Sequence, residues 1–189
     1  MAKTESSAER STIAKPELQY EDLRDWIEEA KKLDELREVP GLSWQKDIGL
    51  CASVIQKEEK SPCVVFTDIP DSLPGSRLLT NFFGGRRMNM SLGLPLDLGK
   101  LELSEAFRQN FMTNLVQIPH EYVETGPILE NTMLGANIDV TRFPAPIWHP
   151  GDGGRYIGTG AYLVTRDPDE GWVNCGVYRV MVQDEKSLG

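Results

Sequence analysis

The sequence predicts a mixed α/β (α+β) fold in which an α/β unit is followed by a β-rich segment. Three observations support this prediction. Segments with helical periodicity alternate with short apolar runs over residues 18–115. From about Val116 the helical periodicity fades and prolines recur. Two long runs with strand-like composition then follow, separated by a turn sequence.

The N-terminal segment is expected to begin with a disordered lead-in and then a helix. Residues 1–17 are polar and lack the apolar core of a secretion signal. The helix is predicted after them because its apolar residues recur at helical spacing and share one face. These residues are Leu23, Trp26, Ile27 and Ala30.

The rest of residues 18–115 is predicted to alternate between strands and helices. Strands are expected at residues 35–39, 63–66 and 76–83, and helices at 44–57 and 104–114. Ser104 is the predicted N-cap of the last helix, since serine favours that position. We expect these elements to form one N-terminal α/β domain.

The β-rich segment is predicted to contain an antiparallel hairpin. Residues 156–166 would pair with residues 172–183, joined by "DPDEG", where proline and glycine supply the dihedral angles of a turn. A two-stranded hairpin is marginal in water by itself. We therefore expect residues 116–189 to be the first part of a domain that is incomplete in this chain.

Composition limits the classes of partner. The 189 residues include 20 Lys and Arg against 29 Asp and Glu, a formal net charge of −9. This balance argues against nucleic acid or an anionic membrane as a partner, and no apolar run is long enough to cross a membrane. The three widely spaced cysteines, Cys51, Cys63 and Cys175, suggest reduced thiols in the cytoplasm.

The stretch "WHPGDGGRYIGTG", residues 148–160, superficially resembles a nucleotide-binding loop. It lacks the terminal Gly-Lys-Ser/Thr of a Walker loop, and it leads into a strand pattern where a dinucleotide loop would lead into a helix. A tight turn before a strand is the favoured interpretation. His149 and Asp152 are interpreted as turn residues, with ligand or base chemistry as the alternative.

The run "WVNCGVYRV" allows two interpretations of its polar residues. Strand alternation places Asn174 and Arg179 on opposite faces of a largely apolar strand. Either the polar side chains are simply solvated, or they bind a ligand. In the second case Asn174 offers an oxygen to Mg²⁺ or Mn²⁺, and Arg179 holds a carboxylate or phosphate. The residues by themselves leave both interpretations open.

The chain resembles the UbiD family of reversible decarboxylases from about Leu23 to its last residue, most specifically over residues 137–184. The family pattern "P-x-x-H-P-x-D-G-G-R/K-Y-I-x-T…D-P…G-W-x-N-x-G-x-Y-R" is matched almost throughout, and "NFFGGRRMNMSLGL" at residues 81–94 is similar to an upstream family motif. The resemblance implies that the N-terminal α/β domain of residues 18–115 is followed by a flavin-reductase-like split β-barrel, whose first part is residues 116–189.

The resemblance also implies a cofactor and a reaction. Family members use prenylated FMN and a divalent ion, Mn²⁺ or Mg²⁺, with K⁺ as a further candidate, to decarboxylate aromatic or α,β-unsaturated acids reversibly. The matching positions for cofactor contact are Thr159, Asn174, Val177, Tyr178 and Arg179. Asn174 matches the metal ligand, and Arg179 matches the catalytic arginine that pairs with the substrate carboxylate.

The sequence departs from the family pattern after Arg179. In the family the metal-binding His and Glu and the acidic proton donor follow at positions beyond the last residue here, so we expect no turnover from this chain alone. A truncated enzyme and one subunit of a split enzyme are both compatible with that expectation. The expected partners are a carboxylic acid, CO₂, and either further copies of the chain or a chain with the remaining residues.

Two other functions are alternatives. The first is a non-catalytic assembly or regulatory subunit of a split decarboxylase, suggested by an unfinished hairpin with an edge available for strand pairing. The second is a flavin-reductase-like protein that binds ordinary FMN.

Overall fold

The computed structural model describes residues 15–119, 121 and 123–189. The part of the predicted lead-in that covers residues 1–14 lies outside them. The helices and strands are, in chain order, α1 (Leu23–Lys32), β1 (Leu36–Pro40), α2 (Asp47–Ile55), β2 (Cys63–Thr67), β3 (Leu78–Thr80), α3 (Gly85–Ser91), α4 (Lys100–Phe107), a π-helix (Arg108–Thr113), β4 (Arg155–Arg166) and β5 (Val173–Val182). The predicted mixed α/β class is confirmed.

Contacts divide the chain into two compact units. The first unit combines residues 1–32 with 83–121, and the second combines residues 33–82 with 122–189. The predicted domain boundary near residue 116 stays a prediction.

In the first unit, α1 buries the face that its periodicity predicts. Trp26, Ile27 and Ala30 are buried, and the indole N–H of Trp26 donates a hydrogen bond to Ser91 Oγ at 2.9 Å. The fourth predicted residue, Leu23, is half exposed, because it is the first residue of the helix. The indole of Trp26 therefore links α1 to the end of α3.

The predicted N-cap at Ser104 is wrong. Helix α4 begins after Gly99, whose N–H donates to the carboxylate of Glu102 at 2.8 Å. Ser104 lies one turn inside the helix, where its hydroxyl donates to Lys100 O at 2.8 Å. The Glu102 carboxylate fixes the helix start, so a serine cap is not needed.

In the second unit, three strands form one mixed sheet in the order β1-β2-β3. β1 and β2 are parallel and are connected through α2, as parallel neighbours require a crossover. β3 pairs antiparallel with β2 but has only three residues, fewer than the eight-residue run at 76–83 predicted. It ends before Asn81, which adopts a positive φ of 56°.

The core of the second unit lies between α2 and the sheet. Its cluster of buried residues comes from α2, β2 and the loop after β2, namely Ile48, Ile55, Val64, Phe66 and Ile69. All residues of β2 except the last are buried. This burial explains why the sequence of the strand is a continuous apolar run and does not alternate. This core fixes the position of α2, one face of which borders the cavity described below.

The predicted hairpin is confirmed. β4 and β5 pair antiparallel, with the turn at residues 167–171 between them. Both faces of the hairpin carry exposed apolar side chains, Val177 on one face and Tyr178 on the other. The cysteines Cys51, Cys63 and Cys175 are free thiols. None of the helices in the described residues has the length and apolar content of a bilayer crossing.

Candidate functional site

A cavity of about 520 Å³ lies within the second unit. Its volume falls in the range typical of small-molecule sites. Four parts of the chain line it: one face of α2, the end of β3 with Asn81, the turn that contains Trp148 and His149, and the base of the β4–β5 hairpin. The cavity is therefore bordered by both the sheet core and the hairpin.

Helix α2 contributes one regular face to the cavity. Gly49, Ala52, Ser53 and Gln56 all line it, at the i, i+3, i+4, i+7 spacing of a single helix face. Gly49 allows a close approach, because a Cβ there would lie 2.7 Å from Ile147 O and still nearer to Trp148 O. A side chain at this position would push the turn away from the helix.

The turn at the cavity is closed by His149 and Asp152. The backbone N–H of His149 donates to the Asp152 carboxylate at 2.9 Å, and the Asp152 N–H donates to His149 O at 3.0 Å. The imidazole Nδ1 lies 3.7 Å from the same carboxylate, so a protonated His149 would form an ion pair with it. Asp152 is thus a turn-forming residue whose side chain also borders the cavity.

Arg155, the first residue of β4, anchors the hairpin. Its guanidinium donates to Ala145 O at 2.8 Å and to Phe143 O at 2.9 Å. The guanidinium carbon lies 4.1 Å from the ring centroid of Trp44, which is cation–π geometry. Burial lowers the pKa of Arg155 from its usual value, an effect that the charges of Asp71 and Asp139 oppose.

Two β-bulges shape the part of β4 that borders the cavity. Register shifts occur between Tyr156 and Gly158 and again between Gly158 and Ala161, so that β4 has one extra residue at each place. Bulges re-aim side chains and increase local twist. As a result Tyr156, Ile157 and Thr159 all line the cavity, although consecutive residues of a regular strand point to opposite faces.

Arg179 lies beside these residues on β5. It faces the second bulge, is exposed, and lines the same cavity as Thr159. Its guanidinium carbon is 5.9 Å from the ring centroid of Tyr156, within the range of a cation–π contact. Of the site residues predicted from the sequence, the structure therefore brings Thr159 and Arg179 together at this cavity.

Asn174, Val177 and Tyr178 do not line the cavity. Asn174 is opposite Thr165 in the ladder, about 17 Å along β5 from Arg179. Tyr178 is half exposed and its ring lies over Gly176, where a Cβ would come within 2.8 Å of the phenol oxygen. Val177 is largely exposed.

The described residues do not form a metal site by themselves. They contain no group of three or more His, Cys, Asp or Glu side chains placed to hold a metal ion. Asn174 would supply one oxygen, whereas a divalent ion of this kind needs about six.

Several lining residues escaped the sequence analysis. The helix predicted at residues 44–57 carried no functional assignment for Ser53 or Gln56, which line the cavity. Thr80 was placed only within a predicted strand. The small residues at i, i+3 and i+4 on one helix face were the available signal, but the same pattern is common on helices that simply pack closely.

Comparison with known proteins gives consistent matches. The family model "UbiD: 3-octaprenyl-4-hydroxybenzoate carboxy-lyase Rift-related domain" matches residues 121–189. The pyrrole-2-carboxylic acid decarboxylase of Pseudomonas aeruginosa is 36% identical over 139 residues, which cover 69% of this chain and 28% of that protein. Ferulic acid decarboxylase 1 of Candida dubliniensis is 37% identical over 65 residues, covering 34% of this chain and 13% of that one.

Solved structures share the fold. Vanillic acid decarboxylase of Sedimentibacter hydroxybenzoicus, in its open form, has a TM-score of 0.75 at 24% identity over 90% of this chain. The UbiD-class enzyme HmfF of Pelotomaculum thermopropionicum, an evolved dimeric form in complex with prFMN, has a TM-score of 0.66 at 25% identity over 88%. The chain spans 37% of each of these structures and less than a third of the decarboxylases matched by sequence.

Proposed function

We propose that this chain, which belongs to the UbiD family through residues 121–189, supplies the carboxylate-binding side of a decarboxylase that uses prenylated FMN. The observation that carries the proposal is that Thr159 and Arg179 line one cavity in the second unit. The substrate class is an aromatic or α,β-unsaturated carboxylic acid. The relatives named for their reactions are decarboxylases of pyrrole-2-carboxylic acid and ferulic acid.

Arg179 is proposed to bind the substrate carboxylate. A guanidinium offers two parallel N–H donors to a carboxylate, which fixes the orientation of the acid as well as its position. The Tyr156 ring beside Arg179 restricts the directions that the guanidinium can take. Decarboxylation breaks the bond between the carboxyl carbon and its neighbour, releases CO₂ and places a proton on that neighbouring carbon.

The cofactor is proposed to contact the hairpin at Thr159, Asn174, Val177, Tyr178 and Arg179. Prenylated FMN, when bound, supplies an electron sink for the decarboxylation. Val177 and Tyr178 are exposed on opposite faces of β5, so each would contact a different part of the cofactor. Asn174 is proposed as one ligand of a Mn²⁺ or Mg²⁺ ion, with K⁺ as a further candidate.

The remaining metal ligands and the proton donor are proposed to come from residues outside the described chain. Association with a chain that carries them would complete the site; association with further copies of this chain is the other proposed assembly. A cytoplasmic location, predicted from the cysteines, is part of the same proposal.

The proposal is tested by isotope exchange between CO₂ and a carboxylic acid substrate. The chain is produced together with a flavin prenyltransferase, with and without any adjoining reading frame. Arg179→Ala is expected to lower the exchange rate roughly 100-fold, the scale of losing a positioned charge-stabilising group. Asn174→Ala is expected to reduce cofactor retention, read from the flavin absorbance of the purified protein.

Arg166→Ala is the matched control. Arg166 lies at the far end of the same hairpin, where its guanidinium bonds only to Gly171 O at 3.3 Å among the described residues, and exchange should be unchanged. Full exchange activity in both Arg179→Ala and Asn174→Ala would contradict the site assignment.

A further inference from the structure

The guanidinium of Arg179 reaches the cavity without a polar partner. Among the residues that the structure describes, it forms no hydrogen bond and no ion pair. Asp152 lines the same cavity, but its carboxylate accepts the His149 N–H at 2.9 Å and, within the described chain, is not paired with Arg179. The N–H groups of the guanidinium are therefore available to a ligand.

The guanidinium does have an aromatic neighbour, the ring of Tyr156, and the strand register explains this contact. Tyr156 is directly opposite Met181, and Arg179 lies two residues before Met181 on β5, so that both share one face. Such diagonal neighbours are within reach of each other when one side chain is aromatic and the other is long. The guanidinium carbon accordingly lies 5.9 Å from the ring centroid.

Two local features leave the Tyr156 ring to Arg179. The Met181 side chain extends toward Gly154, where a Cβ would lie 2.9 Å from the Met181 sulfur, and Gly154 precedes Tyr156 in the chain, in the direction away from Arg179. The second bulge of β4 also leaves Arg179 without a directly paired residue in the ladder. The diagonal contact therefore takes the place of a regular cross-strand pair.

We infer that Tyr156 is a positioning residue, whose ring holds the Arg179 guanidinium in place before a ligand arrives. The inference rests on the proposed function, since it takes Arg179 as the carboxylate anchor. A guanidinium can stack on an aromatic ring with its planar face while its edge N–H groups bind a carboxylate. The role needs the ring and not the phenol hydroxyl, so phenylalanine can replace Tyr156 and leucine cannot.

Holding the arginine in advance strengthens the binding of an acid. Arginine has many rotamers, and fixing one of them when a ligand binds costs entropy. The Tyr156 ring is itself carried by a fixed part of the hairpin, because the Tyr156 N–H donates to Pro146 O at 3.0 Å next to the Arg155 anchor. A ring on this backbone lowers the entropy cost before the acid binds.

The test compares Tyr156→Leu and Tyr156→Phe in the 189-residue chain by an NMR titration with benzoate. Tyr156→Leu should weaken benzoate binding roughly two- to fivefold, the size of a cation–π contact at an exposed site, and Tyr156→Phe should bind as wild type does. The ligand-free proteins give a second readout, the ring-current shift of the Arg179 side-chain protons. Tyr156→Phe should keep this shift and Tyr156→Leu should lose it.

Tyr162→Leu is the matched control. Tyr162 lies on the same strand and is largely exposed, but it does not line the cavity. The same change of residue type should therefore leave both the benzoate affinity and the Arg179 proton shifts as they are in wild type.

The outcomes separate the inference from the proposed function. Wild-type affinity in Tyr156→Leu, together with weak binding by Arg179→Ala, overturns the inference and leaves the carboxylate anchor standing. Equal binding by wild type and Arg179→Ala, or no binding of benzoate by wild type, contradicts the anchor and the inference together. The absence of a ring-current shift in wild type overturns the inference even where Tyr156→Leu fails to fold.

Discussion

At the scale of single residues, Arg155 positions the hairpin relative to the sheet core of the same unit. Its guanidinium joins the carbonyls of Phe143 and Ala145 to the Trp44 ring, while the next residue, Tyr156, donates its N–H to Pro146 O at 3.0 Å. These contacts fix the start of β4, which leads directly into the bulges that carry Thr159.

Arg155→Ala is expected to lower the free energy of unfolding by roughly 2 kcal/mol, because two charge-assisted hydrogen bonds and a cation–π contact are lost. Urea denaturation measures the change. Arg155→Lys should recover only part of it, since an ammonium cannot reproduce the fork. Arg77→Ala, at an exposed arginine of the same unit, is the control, and an equal loss there would contradict the argument.

At the scale of elements, the contact between α2 and the turn before the hairpin depends on Gly49. A Cβ on Gly49 would lie within 2.7 Å of both Ile147 O and Trp148 O. The N–H of Ile147 also donates a hydrogen bond to Trp44 O at 2.9 Å, next to this contact in the chain. Glycine has a low helix propensity and so destabilises α2. The close packing of the helix against the turn offsets this loss.

Gly49→Ala is expected to destabilise the protein by about 1–3 kcal/mol, since overpacking against backbone outweighs the gain in helix propensity. Thermal or urea unfolding provides the measurement. Gly151→Ala, in the same turn region and with nothing within 4 Å of the added Cβ, should have little effect. A stabilised Gly49→Ala variant would show that the turn can move away at no cost.

The junction of α4 and the π-helix is held by a side-chain cluster with a clear pH signature. The Glu105 carboxylate accepts from Arg108 Nη2 and from Gln109 Nε2, both at 2.6 Å. The hydrogen bond from Arg108, followed by that from Gln109, lowers the pKa of Glu105 from 4.5 to about 2. Its contribution to stability is therefore present above about pH 4.5 and is lost as the pH falls toward 2.

Arg108→Ala is expected to raise the pKa of Glu105 toward 4.5. An NMR titration of the Glu105 carboxyl carbon measures this shift. Lys100→Ala removes another cation from the same helix that has no contact with Glu105 and should leave the titration unchanged. A Glu105 pKa that is the same in wild type and Arg108→Ala would mean that the cluster does not form in solution.

At the scale of the whole molecule, the contacts form two units that interleave along the chain. Residues 1–32 group with 83–121, and residues 33–82 group with 122–189. The cavity, the sheet and the hairpin all belong to the second unit, so we expect a perturbation of the cavity wall to act first on that unit.

Gly49→Ala should therefore raise amide hydrogen exchange mainly in the sheet strands and the hairpin, and much less in α1 and α3. Hydrogen exchange followed by mass spectrometry measures the difference, with Gly151→Ala as the reference. Equal increases in both units would show that the chain unfolds as one cooperative body.

Much of this organisation could be predicted from the sequence because it depends on local periodicity. Helix α1 follows from the spacing of Trp26, Ile27 and Ala30, and the hairpin follows from two β-patterned runs around a Pro-Gly turn. The family was recognised from a local motif in the same hairpin, and the comparisons match it over residues 121–189. Such signals need no knowledge of distant contacts.

Other features were decided only by the tertiary structure. The cavity depends on long-range contacts, such as Gly49 against Trp148 O, and on bulges whose register is set by pairing with β5. Side-chain alternation predicts opposite faces for Tyr156 and Ile157, yet the bulge lets both line the cavity. Periodicity thus determined the elements, and the resemblance of a local residue motif indicated the family. Packing between elements decided which side chains share the site, because a residue's neighbours across a cavity leave no periodic trace in its own segment.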